Sequence, residues 1–264
     1  MHIGQPHVAI TRICTAKADS VEVRGRDLCR DIMGRLSFTE YFYLLLTGSE
    51  ATQNQRYFLD LLLIAIAEHG MMPTVQAARM TLAANPGSLE GALAAGILGC
   101  GPILVGTADL CGKVLTRAQA RVAAGSDADA VAFELVQDIR DSGEKMPGLG
   151  HPVHRPTDPR AERILELADE RAVSGPHVDM ARRLHDAAMR VWGKHLVMNV
   201  SMPIAAVLLD LEFPVAMIKA VPLLARTGGI LAHLGEELQS PVGFTMAAHA
   251  EAAVTYEAGG EGGR

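Results

Sequence analysis

The chain has 264 residues, of which 49% are hydrophobic, and this is enough to bury a full core in one domain or two modest ones. Its net charge of -6 and the lack of a Lys/Arg run exclude a general nucleic-acid-binding protein, because phosphate binding needs clustered cations. Ala, Leu and Met are abundant and aromatic residues make up only 4%, which favours helices.

The predicted elements begin with an extended segment at 10–23, and almost everything after it has helical periodicity. Ser37 and Glu40 form a capping-box pattern before a helix that should end at Gly48. The next helix should begin at Thr52 or Asn54. The predicted helices are 41–46, 52–69, 73–84, 89–98, 107–124, 127–142, 159–173, 177–192, 202–211, 214–226 and 228–238. The chain is therefore predicted to be all-α.

The cysteines and the amino terminus give no indication of export. No CxxC pair occurs among the four cysteines, which are Cys14, Cys29, Cys100 and Cys111. They predict reduced, mostly buried thiols, with neither a zinc site nor a disulfide framework. Residues 1–15 lack the apolar stretch of a signal peptide, and prolines and charges interrupt the apolar region 195–225, so no membrane span is predicted. We therefore expect a cytoplasmic protein with a disordered tail at 259–264.

The chemically most informative stretch runs from Gly148 to Arg160 and reads Gly-Leu-Gly-His-Pro-Val-His-Arg-Pro-Thr-Asp-Pro-Arg. Gly148 and Gly150 let the backbone approach a bulky ligand without a Cβ in the way. Asp158 is a good N-cap and places Arg160 in the first turn of a helix. A helix N-terminus, the titratable His151 and fixed cations suit an anionic ligand. A solvated surface loop is the alternative that composition leaves open.

This stretch resembles the signature loop of the citrate synthase superfamily, and its Gly-His-Pro form is most similar to the short citryl-CoA lyase members. Residues 23–28 and 43–48 resemble the amino-terminal region of citrate synthases. Residues 224–233 resemble their late Arg-containing helix. These segments follow one another in the family's order over most of the chain, so the resemblance is not confined to one loop.

The resemblance implies a citrate synthase-like fold with a large helical domain and a smaller inserted helical domain. The large domain would comprise 1–106 and 213–264, and the small domain, 107–212, would carry the CoA-binding and catalytic loop. It also implies a homodimer that binds a CoA thioester and a small 2-oxo or hydroxy acid. CoA would be part of the substrate, and no tightly bound cofactor is implied.

The resemblance also implies three groups of site residues. The catalytic group consists of His151, which polarises a substrate oxygen, and Ser201. The carboxylate-binding group consists of His69, Arg160 and Arg226. The CoA-binding group consists of Gly148, Gly150 and Arg155. No metal is implied, because the histidines lack ligand spacing in the sequence.

Ordinary structural roles remain alternatives for two of these residues. His69 falls near the end of a predicted helix, where the helix dipole alone favours a histidine. Arg226 lies among apolar neighbours, so its charge requires either a ligand or an internal ion pair. We assign no role to His154 or His233.

The sequence departs from the family pattern at three positions. Leu104 replaces a histidine that bonds the thioester enol in synthases, and citryl-CoA lyases also lack that histidine. Ser201 replaces the family's general acid/base Asp, and a serine hydroxyl is no base near pH 7 without an activating group. Ser240 replaces an Arg that crosses the dimer interface. Asp109, Asp158 or Asp210 could supply an acid, but the sequence favours none of them.

Three interpretations therefore remain open. The first is a citryl-CoA lyase-like enzyme that cleaves a 3-hydroxy-acyl-CoA, such as citryl-CoA, to acetyl-CoA and a 2-oxo acid such as oxaloacetate. The second keeps the fold and the CoA site but changes the substrate or the chemistry, because of Ser201 and Ser240. The third is a non-catalytic protein that binds CoA thioesters or regulates a partner.

Overall fold

The computed structural model describes residues 9–257, and in this range the chain is mostly helical, as predicted. Three short strands are β1 (Cys14–Ala16), β2 (Val21–Val23) and β3 (Arg26–Asp27). The α-helices are α1 (Phe38–Thr47), α2 (Gln53–Ala67), α3 (Pro73–Ala84), α4 (Leu89–Leu98), α5 (Thr107–Ala123), α6 (Ala128–Asp141), α7 (Pro159–Glu170), α8 (Pro176–Trp192), α9 (Ser201–Asp210), α10 (Ala220–Gln239) and α11 (Gly243–Ala253). A π-helix covers Leu28–Ile32, and a 3-10 turn covers Val215–Met217. The predicted tail 259–264 lies outside the described residues.

The helix starts follow the local capping chemistry. The Ser37 hydroxyl accepts the backbone N–H of Glu40, and the Glu40 carboxylate accepts the backbone N–H of Ser37, which confirms the capping box. Helix α1 ends at Gly48, whose φ of 80° is left-handed. Of the two predicted caps of α2, Thr52 is the one used.

The extended segment at the start of the chain forms a small antiparallel sheet in the order β1-β2-β3. Val23 is buried with Ile32 and Leu44, so this sheet has its own small apolar cluster against α1. The largest apolar cluster joins α2 to α5–α9 and to the first part of α10, and a third cluster joins α3 and α4 to the later part of α10. The predicted domain division stays a prediction, because the largest cluster contains residues from both sides of it.

The carboxyl-terminal helices differ from the prediction. The two helices expected at 214–226 and 228–238 are instead the single helix α10, which continues through Gly228 and Gly229. A Cβ on Gly229 would lie 2.1 Å from the carbonyl oxygen of Ala67, so this glycine permits close packing of α10 on α2 and does not end the helix. Helix α11 was not predicted at all.

The segment Val215–Gln239 is long and apolar enough to cross a membrane by length and composition, and 39% of its most apolar window is buried inside the structure. Its helix, α10, packs against α2, α3 and α4, and a core helix of a soluble protein passes the same test.

The cysteines are all free, but the expectation that most are buried is only half right. Cys100 and Cys111 are buried, whereas Cys14 and Cys29 are exposed. Cys14 lies in the small sheet and Cys29 in the short π-helix, where little packs over either side chain.

Candidate active site

The loop that begins at Gly148 is held against the segment before α9. The backbone N–H of Gly150 donates to the carbonyl of Val197 at 2.6 Å, and the backbone N–H of Asn199 donates to the carbonyl of Gly148 at 2.9 Å. The Asn199 side chain also donates to the carbonyl of Gly150 at 2.9 Å. This pairing carries the start of α9, and with it Ser201, next to His151.

Gly148 and Gly150 are both left-handed, with φ of 76° and 87°, but they have different surroundings. A Cβ on Gly148 would lie 2.8 Å from both Cys111 Sγ and Met202 Cβ, so this glycine is packed into the core rather than open to a ligand. A Cβ on Gly150 would have nothing within 4 Å, and Gly150 lines a cavity.

We expect Gly148→Ala to destabilise the protein by about 2–4 kcal/mol, since backbone strain and overpacking add together. Gly150→Ala is the matched control and should cost about 1–2 kcal/mol from strain alone. Denaturant unfolding of both variants measures the difference. Equal losses would show that contact with Cys111 and Met202 does not restrict Gly148.

Asp158 has the predicted N-cap role, and it also fixes Arg160. Its side chain is fully buried and accepts the backbone N–H groups of Arg160 and Val200. The Arg160 guanidinium donates to both Asp158 oxygens, from Nε at 3.0 Å and from Nη2 at 2.9 Å. Burial raises the pKa of Asp158, but the hydrogen bonds and charge of Arg160 outweigh it, so the net pKa lies below its ordinary value. Arg160 is therefore a cation held in a fixed position by its ion pair with Asp158.

A cavity of about 180 Å³ brings most of the predicted site residues together. Its walls include His69, Gly150, His151, Arg160, Ser201 and Arg226. Two predicted CoA-binding residues are placed outside it. Gly148 is buried beneath the loop, and Arg155 is exposed, with its guanidinium folded onto the carbonyls of His151 and His154.

Arg226 is the most unusual group in this cavity. It is 5% exposed, and its Nε and Nη1 atoms are buried without a hydrogen-bond partner among the described residues. The carboxylate of Glu68 is bonded to His233 at 3.0 Å and to the backbone of His69 and Gly70. Burial lowers the pKa of the Arg226 guanidinium, and the Glu68 charge only partly opposes this. Burying an unpaired guanidinium costs folding free energy, and binding an anion from outside the chain would offset that cost.

Three histidines meet at the edge of the cavity, and one of them was not predicted. His69 and His151, and also His69 and His154, have ring centroids 5.3 Å apart, while His151 and His154 are 4.2 Å apart. The Nε2 atoms of His69 and His154 lie 3.2 Å apart, within hydrogen-bond distance. No sequence signal pointed to His154, because the contact with His69 is made across 85 residues.

The hydrogen bonds of His151 define its tautomer. Its Nδ1 atom accepts the backbone N–H groups of Val153 at 3.1 Å and His154 at 2.9 Å. A neutral imidazole that accepts at Nδ1 carries its proton on Nε2. His151 is therefore a donor at Nε2, 3.5 Å from the Arg160 Nη2 atom, which is also a donor. Two donors side by side suit a substrate oxygen that accepts from both.

The same histidines form a group that could hold a metal, with one nitrogen from each within 4.8 Å of the others. Two features oppose a cation there. The His151 lone pair at Nδ1 is used by the backbone, so its protonated Nε2 is no ligand. Arg160 and Arg226 also place positive charge on the cluster, since both lower the pKa of His69. The expectation that no metal is needed stays a prediction.

We expect the protein to lose stability as the pH falls from 7 to 5. Burial lowers the pKa of His69, and the positive charge of Arg160 lowers it further. Burial also lowers the pKa of His151, and the neighbouring His154 lowers it further. The unfolded chain, with an ordinary histidine pKa of about 6.5, takes up protons first, so the free energy of unfolding decreases below that pH. Denaturant midpoints at pH 7 and pH 5.5 measure this. A His69→Gln/His151→Asn variant should show a flatter dependence, and an unchanged dependence would contradict the assignment.

Of the three residues that depart from the family pattern, two line the cavity and one lies outside it. Leu104 and Ser201 both line the cavity, and Ser201 is the first residue of α9. Ser240 lies outside the cavity at the end of α10, where its carbonyl accepts from the buried Arg79 at 3.3 Å. Arg79 is further held by the carboxylates of Glu236 and Glu237, an ion-pair cluster that the sequence analysis missed.

Each of the three aspartates that could replace the missing acid has other partners. Asp109 pairs with Lys113 on α5 at 2.8 Å, and Asp158 holds Arg160. Asp210 is buried and accepts three backbone N–H groups at the start of α8. None of the three lines the cavity in the part of the chain that the structure describes.

Known proteins match both the sequence and the fold. The family described as citrate synthase, C-terminal domain, matches residues 7–242. A Mycobacterium bovis protein named as a citrate synthase is 33% identical over 186 residues, which cover 68% of this chain and 47% of that protein. A citrate synthase-like protein of Aspergillus oryzae is 28% identical over 260 residues, covering 91% of this chain and 56% of the relative. The chain thus spans about half the length of these curated relatives.

Among solved structures, the citryl-CoA lyase from Hydrogenobacter thermophilus superposes with a TM-score of 0.84 and 26% identity, covering 98% of both chains. The ATP citrate lyase from Methanothrix soehngenii superposes with a TM-score of 0.78 and 20% identity over 98% of this chain and 43% of that chain, a likeness of fold.

Proposed function

The chain belongs to the citrate synthase family, and from that premise we propose that it is a citryl-CoA lyase-like enzyme. It would cleave, or in reverse form, the carbon–carbon bond of a 3-hydroxy-acyl-CoA such as citryl-CoA, giving acetyl-CoA and a 2-oxo acid such as oxaloacetate. The observation that carries the proposal is the buried guanidinium of Arg226, in the wall of the cavity that also contains His151. Its Nε and Nη1 atoms have no hydrogen-bond partner among the described residues. The full-length similarity to a citryl-CoA lyase supports the direction of cleavage.

The cavity residues divide the chemistry between them. Arg226 binds a substrate carboxylate, assisted by Arg160, and His69 lies in the same cavity wall. His151 donates from Nε2 to the oxygen on the carbon that becomes the ketone, where negative charge develops as the hydroxyl loses its proton. The electron pair of the breaking carbon–carbon bond passes to the thioester enolate, which is then protonated to acetyl-CoA. Ser201 lines the same cavity and would orient a water or the substrate hydroxyl.

The CoA portion would enter along the loop that contains His151. Gly150 brings backbone to the cavity wall without a side chain. Arg155 is exposed beside it and can turn towards a phosphate, since it is held only by carbonyls of its own loop. Gly148 would act indirectly, by shaping the loop. CoA is substrate in this scheme, and no tightly bound cofactor is needed.

The domain division and the homodimer belong to the same proposal. The cavity is lined from both predicted parts of the chain, by His69 and Arg226 on one side and by His151 and Ser201 on the other. Large apolar side chains are exposed on α4 and α11, with Leu98 86% and Phe244 71% exposed, and a second copy of the chain would cover such residues.

A cytoplasmic location is consistent with four free cysteines.

Ser201→Asp is expected to raise the rate of citryl-CoA cleavage by about 10²-fold, because it adds a carboxylate acid/base to a cavity wall that has none among the described residues. Ser201→Ala is the matched control and should change the rate by less than about tenfold. Steady-state cleavage by the three proteins measures the effect. No gain with Asp, at unchanged stability, would count against Ser201 standing at the position of the acid.

A second candidate function is binding of a CoA thioester without turnover, and the absence of a carboxylate from the described cavity wall favours it. Incubation with citryl-CoA, with acetyl-CoA and oxaloacetate followed by mass spectrometry, and calorimetric titration with CoA separate the two. Both products support the lyase. CoA binding without products supports the second candidate or a different thioester substrate.

A further inference from the structure

The acid/base of this cavity has to come from an unusual source, and this inference rests on the proposed function. Retro-aldol cleavage needs a group that removes the hydroxyl proton and later returns a proton to the enolate. The described residues of the cavity wall include no Asp, Glu, Lys, Tyr or Cys. Both arginines are permanent cations, and an unassisted serine is no base. The Thr107 hydroxyl is no better a base than that of Ser201, so among the described wall residues only the imidazoles of His69 and His151 remain.

His151 is excluded as the acceptor by its own hydrogen bonds. Its one lone-pair nitrogen, Nδ1, already accepts two backbone N–H groups, and its Nε2 carries the proton. It can stabilise the developing oxyanion but cannot take up the hydroxyl proton at the nitrogen that donates.

The imidazole of His69 is in contact with a second imidazole, that of His154. Its Nε2 atom lies 3.2 Å from the Nε2 atom of His154, so in the neutral pair one ring donates and the other accepts. When His69 donates from Nε2, its Nδ1 carries the lone pair and is a base. The charge that forms on His69 is then shared with His154 through the same hydrogen bond.

The groups that act on His69 are Arg160, Arg226, His151 and His154, together with the Asp158 carboxylate. Arg160 and Arg226 disfavour a charged His69, as would a charged His154, and Asp158 favours it. A lone His69 would therefore be a weak base. A hydrogen-bonded partner that accepts from the charged ring compensates for this.

We propose that the His69–His154 pair is the acid/base of this site, with His69 as the catalytic residue and His154 as its positioning residue. His69 takes the proton from the substrate hydroxyl as the carbon–carbon bond breaks and the hydroxyl carbon becomes a ketone. The same proton is returned to the carbon of the acetyl-CoA enolate. Protons balance over the cycle, and no other reactant is needed.

The test is the pH profile of kcat for citryl-CoA cleavage in the wild type, His154→Phe and His154→Gln. His154→Phe should lower kcat by about 10²-fold with little change in KM, because His154 does not line the cavity in the described structure. The acidic limb of the kcat–pH profile should move to lower pH, because the charged His69 ring loses the hydrogen-bond acceptor that His154 provides. His154→Gln, whose amide oxygen can accept, should restore part of kcat. A merely structural role would change stability without moving the limb.

An NMR titration of the imidazole nitrogens separates failure of the pair from failure of the reaction. The pKa of His69 should be lower in His154→Phe than in the wild type, because the charged His69 ring loses its hydrogen-bond acceptor. An unchanged His69 titration in His154→Phe, or an unchanged kcat and pH profile, would overturn the proposal even in an active enzyme. Absence of cleavage by the wild type would overturn the proposed function instead.

Discussion

Replacing Arg226 with methionine is expected to make the protein more stable and to remove most of its substrate binding. Arg226 has two buried nitrogen atoms without partners among the described residues. Replacing even a buried ion pair by apolar side chains of similar volume is often neutral or stabilises a protein by about 1–4 kcal/mol, and an unpaired guanidinium has no partner whose attraction would be lost. Loss of a charge-assisted contact to a bound carboxylate costs about 2–5 kcal/mol, so kcat/KM should fall by roughly 30-fold or more.

The two effects of this substitution have opposite signs, which separates a ligand-binding arginine from a structural one. Arg226→Lys is the matched control, because it keeps the charge but loses the planar fork, and should retain part of the binding. Thermal unfolding and the kinetics of citryl-CoA cleavage give the two readouts. A destabilised Arg226→Met protein with unchanged KM would show that the guanidinium serves an internal ion pair.

Replacing His151 with asparagine is expected to lower kcat by about 10²–10³-fold while the loop keeps its shape. The Asn oxygen can accept the backbone N–H groups that His151 Nδ1 now accepts from Val153 and His154. The donor at Nε2, which would face the developing oxyanion, is lost. The substitution thus deletes one hydrogen bond to substrate with little change to the fold.

His151→Ala is the comparison for this variant, because it removes both the donor and the loop acceptor. It should lose as much activity as His151→Asn and, in addition, some stability. Single-turnover rates and denaturant midpoints measure the two properties. If His151→Asn cleaves citryl-CoA as fast as the wild type, His151 does not polarise the substrate oxygen.

Local patterns predicted the helix boundaries well, because capping is decided within a few residues. Ser37 and Asp158 cap the helices that their sequences indicate. The pair Gly228-Gly229 misled the prediction, since Gly229 permits a close contact with α2, a helix that lies far away in the sequence. Helix α11 was missed because its composition has little amphipathic pattern to detect.

The site was predictable only in part, for a related reason. His69, His151, Arg160 and Arg226 were identified by resemblance, and the structure brings them to one cavity. The hydrogen bond between His69 and His154, and the tautomer of His151, depend on the fold of the loop and on packing across the chain. No spacing in the sequence encodes them.

The central claim, that this cavity cleaves the carbon–carbon bond of a CoA thioester, is tested most directly by a single-turnover reaction. Protein in excess over citryl-CoA is quenched at intervals, and acetyl-CoA and oxaloacetate are quantified for the wild type and for His151→Asn. Equal amounts of both products, formed much more slowly by His151→Asn, are the expected result. Citryl-CoA that persists, or that decays at one rate in both proteins, would contradict the claim.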